Sequence, residues 1–209
     1  MPELPKRMRQ LPLDGVGRPI PWFAYVDADG HHDFRIADAD KLRRAITEQR
    51  CWTCGQKFTG RSKVFVIGPM CAVNRISAEP PSHRECAEYS VRACPFLNNP
   101  NKERREAHIP AEAGSPAGEM IRRNPGVSLL WSTASYKLID DGSGGVLFRI
   151  GPAIHAWWWA EGRPATRQEV LASIESGLPI LRGMAETEGD AALDELAAMT
   201  TEALRLVPA

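Results

Sequence analysis

The sequence lacks a net charge, a long apolar run and an apolar stretch near its first residue. Its 26 Lys and Arg residues balance 26 Asp and Glu residues, which excludes a strongly basic nucleic-acid-binding domain. No run approaches the roughly 18 apolar residues of a transmembrane helix. Residues 1–10 carry charge where a secretion signal carries an apolar core, so we expect a cytoplasmic protein that has no membrane partner.

The common catalytic motifs are absent as well. The 209 residues contain no GxSxG nucleophile elbow, P-loop, GxGxxG dinucleotide motif or HExxH metalloprotease motif. The composition is that of an ordinary globular chain, with 43% hydrophobic and 25% charged residues, which excludes fibrous and disordered classes. The sequence therefore predicts a folded core without assigning a nucleophile or a general base.

Two pairs of metal-ligand residues are present. Cys51 and Cys54 form a CxxC pair, and His83 and Cys86 form an HxxC pair further along the chain. Two such pairs, separated by a segment rich in β-branched residues, are typical of a structural zinc site. The sequence therefore predicts that these four side chains bind one Zn²⁺.

The local sequence predicts how each pair is held. Gly55 supplies the positive φ of a tight turn in which backbone amides point at the thiolates. Residues 64–67 and 72–76 are expected to pair as a hairpin across Gly68-Pro69. Ser82 and Glu85 form a capping-box pattern, which predicts a helix with Ser82 as its N-cap, His83 at its first position and Cys86 one turn later.

A turn-held CxxC, a hairpin and a helix-borne ligand pair, in that order, resemble a treble-clef zinc finger over residues 50–94. The wording Cys-Trp-x-Cys-Gly and Pro-Pro-Ser-His-x-x-Cys is also similar to phage and bacterial proteins of unassigned function. The resemblance implies a fold and a role for the metal. It implies no activity, because this class of finger serves many functions.

The cysteines leave alternatives open. A CxxC pair can also be a redox pair, although no βαβ-like strand precedes it here. Cys71 lies in the expected hairpin and could replace one of the four ligands, whereas Cys94 lies about 12 Å along the helix from Cys86. We expect Cys71 and Cys94 to be buried thiols.

We expect an α+β fold built from an N-terminal β-hairpin and helix, a treble-clef-like zinc module, a second β-hairpin or sheet, and C-terminal helices. The predicted division is an extended arm (residues 1–20), the hairpin, helix and zinc module (21–99), a linker or loop rich in Pro and Gly (100–126), and a β-hairpin with a helical segment (127–209). The last part is expected to pack with the first as one body, because a two-stranded sheet is too small to stand alone.

The N-terminal elements are predicted as strands at residues 22–26 and 33–36, joined by a turn at 27–31, and a helix over 38–50. The turn has the sequence Asp-Ala-Asp-Gly-His. It lacks the Gly at position 6 and the Glu at position 12 of an EF-hand loop, so we expect a turn and no calcium site.

In the C-terminal part, residues 127–139 and 146–150 are predicted to form a hairpin, with a third strand at 154–159. Three consecutive Trp in that third strand must face both sides of a sheet, and we expect core packing before a stacking platform for bases. Thr166 and Glu169 form a second capping box. We expect the helix that starts there to end at Gly177, a second to open at Pro179, and a third to start near Asp190.

The sequence favours a zinc-stabilised binding or accessory protein that engages a macromolecular partner, most simply a protein and secondarily nucleic acid. Pairs of arginines at 104–105 and 122–123 could contact phosphate, but we expect solvated surface. The alternatives are a CxxC redox protein and a metal-dependent enzyme, which could act on nucleic acid and use His108 or His155 as its acid–base group. HNH-type nucleases need a histidine in the hairpin, and residues 64–76 contain none.

Overall fold

The computed structural model describes residues 2–103, 109, 117–118 and 123–209. It is a mixed α+β structure, which confirms the predicted fold class. The strands are β1 (Ala24–Val26), β2 (His32–Ala37), β3 (Lys63–Ile67), β4 (Ile76–Ser77), β5 (Ser128–Thr133), β6 (Tyr136–Asp140), β7 (Val146–Ile150), β8 (His155–Ala160) and β9 (Arg163–Pro164). The helices are α1 (Ala39–Thr47), α2 (Pro69–Asn74), α3 (Arg84–Ala93), α4 (Arg167–Glu188) and α5 (Asp190–Leu204).

The N-terminal hairpin and helix are present where predicted, but α1 ends at Thr47 and not at residue 50. Strands β1 and β2 pair antiparallel, and the turn between them is closed by the Asp27 side chain, which accepts from the amides of Asp29 and His31. Asp38 caps α1, since its carboxylate accepts from the Lys41 amide at 3.0 Å. The helix therefore starts where its cap predicts and delivers the chain to Cys51.

Residues 2–20, for which we expected an extended arm, contain a 3₁₀ turn at Lys6–Met8. Met8, Leu11 and Ile20 are buried, and two of them pack beside the cysteines described below. The proposed division of the chain into segments stays a prediction.

The hairpin predicted at residues 64–67 and 72–76 is wrong. Between β3 and β4 lies the helix α2, which has an extended Gly68 as its N-cap, Pro69 in its first turn and a left-handed Arg75 (φ +58°) as its C-cap. Helix α2 buries Met70, Ala72 and Val73. Tertiary packing of this short apolar segment outweighs the β propensity of its residues.

The two strands that flank α2 belong to different sheets. The four-stranded sheet has the order β3-β5-β8-β9, and the three-stranded sheet has the order β4-β7-β6. Strand β3 pairs antiparallel with β5, so that Ile67 lies opposite Leu129. The predicted hairpin in the C-terminal part is therefore only partly right, because β6 pairs with β7 but β5 belongs to the other sheet.

The main core lies between the two sheets and the C-terminal helices. Phe65, Leu129, Trp131 and Phe148 are fully buried in it, together with Ile174 of α4. A second, smaller cluster covers the opposite face of the four-stranded sheet, where α3 packs on it. Alternate residues of one strand thus serve two different cores.

The C-terminal helices differ from the prediction at one point. The capping box is confirmed, since the Thr166 hydroxyl accepts from the Glu169 amide and the Glu169 carboxylate accepts from the Thr166 amide. The predicted break at Gly177-Pro179 is wrong, because α4 runs through both residues to Glu188. Gly177 is buried against Met70, so its role is close packing. Among the described residues, no helix is both long enough and apolar enough to cross a bilayer.

Candidate metal centre

The structure brings the four predicted side chains together. The donor atoms of Cys51, Cys54, His83 and Cys86 all lie within 4.8 Å of one another, and all four residues are buried. None is more than 8% exposed. The group is a Cys₃His cluster that could hold a metal ion.

The first pair lies in a tight turn of the predicted kind. Gly55 has φ +72°, and its amide donates to the Cys51 carbonyl at 2.8 Å. The Cys54 amide points at Cys51 Sγ at 3.5 Å. The turn therefore fixes both cysteines through main-chain geometry and gives the Cys51 sulfur a backbone donor.

The second pair lies at the start of α3, with a shifted cap. The predicted Ser82 capping box is wrong, because His83 is the N-cap and has extended backbone (φ −63°, ψ 150°). The His83 amide donates to Cys51 Sγ at 3.3 Å. Cys86 lies in the first turn of α3, which places its sulfur near the positive end of the helix dipole.

Ser82 has another role that the capping pattern concealed. It forms a β-bridge with Val64, in which each amide donates to the other carbonyl at 2.7 and 3.0 Å. Its hydroxyl also lies 2.8 Å from the Thr53 hydroxyl. Ser82 thus joins the CxxC turn, the HxxC pair and the edge of the four-stranded sheet.

Contacts inside the cluster shift the pKa values of Cys51, His83 and Cys86. Burial alone would raise the pKa of Cys51, but hydrogen bonds with the side chains of Cys54, Cys86 and His83 hold that pKa far below its usual range. Hydrogen bonds with Cys51 and Cys54, with burial in addition, raise the pKa of Cys86. Burial disfavours the charged imidazolium form of His83, but hydrogen bonds with Cys51 and Cys54 favour it. Together they leave the pKa of His83 raised, at about 9. The opposite directions of these shifts follow from the close contact of the buried thiols and the imidazole.

The cluster is enclosed by residues that the sequence patterns did not single out. Met8 and Leu11 from the N-terminal segment and Tyr89 from α3 pack around the sulfurs. The Phe58 ring lies against the His83 imidazole, with centroids 4.8 Å apart. No local signal indicates that Met8 or Leu11 belongs to this site, because their contacts depend on how the N-terminal segment folds back.

The other two cysteines lie outside the cluster. Cys94 is the C-cap of α3 and Cys71 lies in α2. Both are half-buried, so the expectation that they are buried thiols is wrong. Burial raises the pKa of the Cys71 thiol to about 11, so this thiol is protonated and inert at neutral pH.

The remaining candidate residues form no comparable site within the described ranges. Asp27, Asp29 and His31 lie close together on the exposed turn, where the Asp27 side chain closes the turn as described. His155 is exposed on β8, and its ring stacks on that of Trp157 with centroids 5.2 Å apart. Residues 104, 105, 108 and 122, which include the candidate acid–base His108, lie outside the described residues.

The Trp run of β8 is mostly core, as expected. Trp158 is 4% exposed and donates its indole N–H to the Leu206 carbonyl at 2.9 Å. Trp157 and Trp159 pack from the opposite face against the cluster beneath α3. Arg84 lies over the Trp157 ring at 4.3 Å and Arg92 over the Trp159 ring at 6.0 Å, so arginines of the chain itself occupy the faces that bases would need.

No protein-family model, curated protein or solved structure matches this chain. The treble-clef likeness therefore depends on local features alone, namely the tight CxxC turn and the ligand pair at the start of α3. The helix α2 between them is a departure from the expected hairpin.

Proposed function

We propose that the Cys₃His cluster binds one Zn²⁺ as a closed structural site, and that the chain is a zinc-stabilised binding or accessory protein. The observation that supports this is the burial of four convergent donors, none more than 8% exposed. Three thiolates and one imidazole form a donor set typical of structural zinc. Zinc binding would then supply folding free energy to a part of the chain that has a small apolar core.

The distances suit that metal. With Zn–S bonds of about 2.3 Å and Zn–N bonds of about 2.0–2.1 Å, the S···N edge of a tetrahedral site is about 3.6 Å. Cys54 Sγ and His83 Nδ1 lie 3.5 Å apart. The two backbone amides directed at Cys51 Sγ would stabilise a metal-bound thiolate.

The same geometry argues against the alternatives from other functional classes. A catalytic zinc keeps a position open for water or substrate, whereas here a fourth protein donor faces the other three. A redox CxxC needs a thiol that its partner can reach, and Cys51 and Cys54 are 0% and 1% exposed. These observations favour a structural role for the metal.

The partner of the protein is proposed to be another protein. The chain has no net charge, which gives little general attraction to nucleic acid. The faces of Trp157 and Trp159 that could stack on bases are occupied by Arg84 and Arg92. A polypeptide partner needs neither feature.

Elemental mass spectrometry of the purified, untagged protein tests the metal assignment. We expect about one zinc per chain and about three thiols protected under native conditions. The Cys86→Ser variant should lose the metal and lower the free energy of unfolding by roughly 3 kcal/mol or more, because the binding energy of the metal is folding energy.

Cys94→Ser is the matched control, since it removes a thiol from the same helix outside the cluster. It should keep the zinc and nearly all of the stability. A Cys86→Ser protein that melts like the wild type would contradict the structural role. A metal-free wild type with a Cys51–Cys54 disulfide would instead support the redox alternative.

A further inference from the structure

A cleft lies beside β3, the edge strand of the four-stranded sheet, two strands away from the Trp run of β8. Its volume is about 390 Å³. Lys63 lines it from β3, the edge strand of the four-stranded sheet, and Tyr136 and Leu138 line it from β6, the edge strand of the three-stranded sheet. Ile46 and Gln49 close it from α1 and the turn that follows. The cleft therefore lies between two sheet edges beneath the end of a helix.

Within the part of the chain that the structure describes, no strand pairs with the outer edge of β6. The Asp141 amide donates to the Gly145 carbonyl, and the Gly151 amide donates to the Ser135 carbonyl. In an antiparallel pair, hydrogen-bonded and non-hydrogen-bonded residues alternate, so Tyr136, Leu138 and Asp140 direct their N–H and C=O groups away from β7. Within the described ranges, β6 has β7 as its only strand partner. Tyr136 and Leu138 thus present both cleft-lining side chains and outward backbone groups.

The cleft combines apolar walls with polar groups that have unused bonding capacity. Leu138 is 47% exposed. It lies opposite Phe148 of β7, and both side chains point to the same face of the sheet, where Phe148 is buried. The Lys63 ammonium lies over the Phe58 ring at 5.5 Å. Among the described residues, no carboxylate lies within ion-pair distance of that ammonium. A lysine whose charge is unmatched beside an apolar wall favours an anionic ligand.

Gln49 forms part of the opposite wall of the cleft, and its backbone is strained. Its φ of +52° is unusual for a residue with a side chain. The Gln49 amide nitrogen donates to the Ile46 carbonyl at 3.0 Å and to the Tyr136 hydroxyl at 3.1 Å. The Tyr136 hydroxyl accepts that bond, so its own proton is available to a ligand in the cleft.

We propose that this cleft binds the carboxyl-terminal residues of an extended peptide, which adds a strand to the free edge of β6. The outward N–H and C=O groups of Tyr136 and Leu138 would pair with the peptide main chain. An apolar side chain of the peptide would lie against Leu138 and Ile46, and its terminal carboxylate would accept hydrogen bonds from Lys63 and the Tyr136 hydroxyl. This inference rests on the proposed function, because it names the class of partner and the place where it binds.

Two NMR probes test the proposal on the full, zinc-loaded chain. The first is the peptide acetyl-Thr-Val-Thr-Leu with a free terminal carboxylate, and the second is the same peptide as its carboxamide. We expect the acid to shift the amide signals of Tyr136, Leu138 and Asp140. It should bind about two- to fivefold more tightly than the carboxamide, the factor expected of one partly exposed ion pair.

Variants separate the charge from the main-chain pairing. Lys63→Met should make the acid and the carboxamide bind equally, whereas Lys137→Met, on the other face of β6, should preserve the preference. A peptide with its backbone amides methylated should bind neither variant nor wild type, since it cannot extend the sheet. Hexanoate provides the carboxylate and the apolar chain without a peptide main chain.

Several outcomes would overturn the inference. These are equal binding of the acid and the carboxamide by the wild type, hexanoate binding as tightly as the peptide, and unchanged β6 signals on titration. A concentration-dependent dimer that pairs β6 with β6 would assign the edge to a second copy of this chain. Zinc content measured on the same samples distinguishes the two proposals. Zinc-loaded protein that does not bind the peptide refutes only the proposed peptide site, whereas metal-free protein refutes the proposed function.

Discussion

At Gly55, two separate constraints require the absence of a side chain. The residue has φ +72°, a conformation that costs a residue with a Cβ roughly 1 kcal/mol or more. A Cβ at this position would also lie 2.5 Å from the ring of Trp22. The turn that holds Cys51 and Cys54 is thus built against an indole ring, and only glycine allows that approach.

We predict that Gly55→Ala destabilises the protein by about 2–4 kcal/mol, the sum of backbone strain and overpacking against Trp22. Gly30→Ala is the matched control. Gly30 has φ +83°, and within the described part of the chain no atom other than those of its sequence neighbours lies within 4 Å of the added methyl position, so the substitution should cost only about 1–2 kcal/mol. Chemical denaturation of both variants measures the difference, and equal losses would show that the contact with Trp22 is unimportant.

Packing against neighbouring elements holds α4 together across Gly177 and Pro179. Gly177 lies where a Cβ would come within 2.5 Å of the Met70 sulfur, so glycine lets α2 approach α4. Pro179 follows two residues later inside the same helix. The packing of Val170 and Ile174 on the main core holds the first half of α4, and contacts with α5 hold the second half.

Two alanine substitutions in α4 should have opposite outcomes. Gly183 is an exposed helix-interior glycine, and apart from the backbone of its own helix and its sequence neighbours no described atom lies within 4 Å of its Cβ position, so Gly183→Ala should stabilise the protein by about 0.5–1 kcal/mol. Gly177→Ala gains the same helix propensity but must displace Met70, which is buried, and we expect a net loss of about 1 kcal/mol. Thermal melting checks both, and a stabilised Gly177→Ala would show that Met70 moves aside freely.

The elements that the sequence could predict are those set by local rules. The CxxC and HxxC pairs, the Asp38 cap and the Thr166–Glu169 capping box depend on residues a few positions apart, and each lies where expected. The prediction of a hairpin around Gly68 was wrong because β3 pairs with β5, which lies far along the chain. The prediction of Ser82 as the N-cap was wrong for a similar reason, since the backbone of Ser82 forms a β-bridge with Val64.

At the scale of the whole molecule, α3 connects the candidate metal centre to the sheet. Cys86 and Tyr89 face the Cys₃His cluster, while Ala87 and Val91 face the four-stranded sheet. The cluster beneath the N-terminal segment is small: besides the cysteines, its buried members are Met8, Leu11 and Tyr89. A bound metal would therefore act as the core of this region, and its stabilising effect would reach the sheet through one helix.

Removal of the metal by a strong chelator should lower the melting temperature and loosen the molecule unevenly. We expect faster amide hydrogen exchange in residues 51–58 and 83–93 and in β3, which α3 covers. Exchange in residues 190–198 should change least, because α5 packs on α4 and α2, whereas α3 covers the opposite face of the four-stranded sheet. Hydrogen-exchange mass spectrometry with and without the chelator measures this pattern. Uniform acceleration along the chain would mean that the metal supports the entire fold at once, and unchanged protection at residues 83–93 would mean that α3 does not depend on the metal.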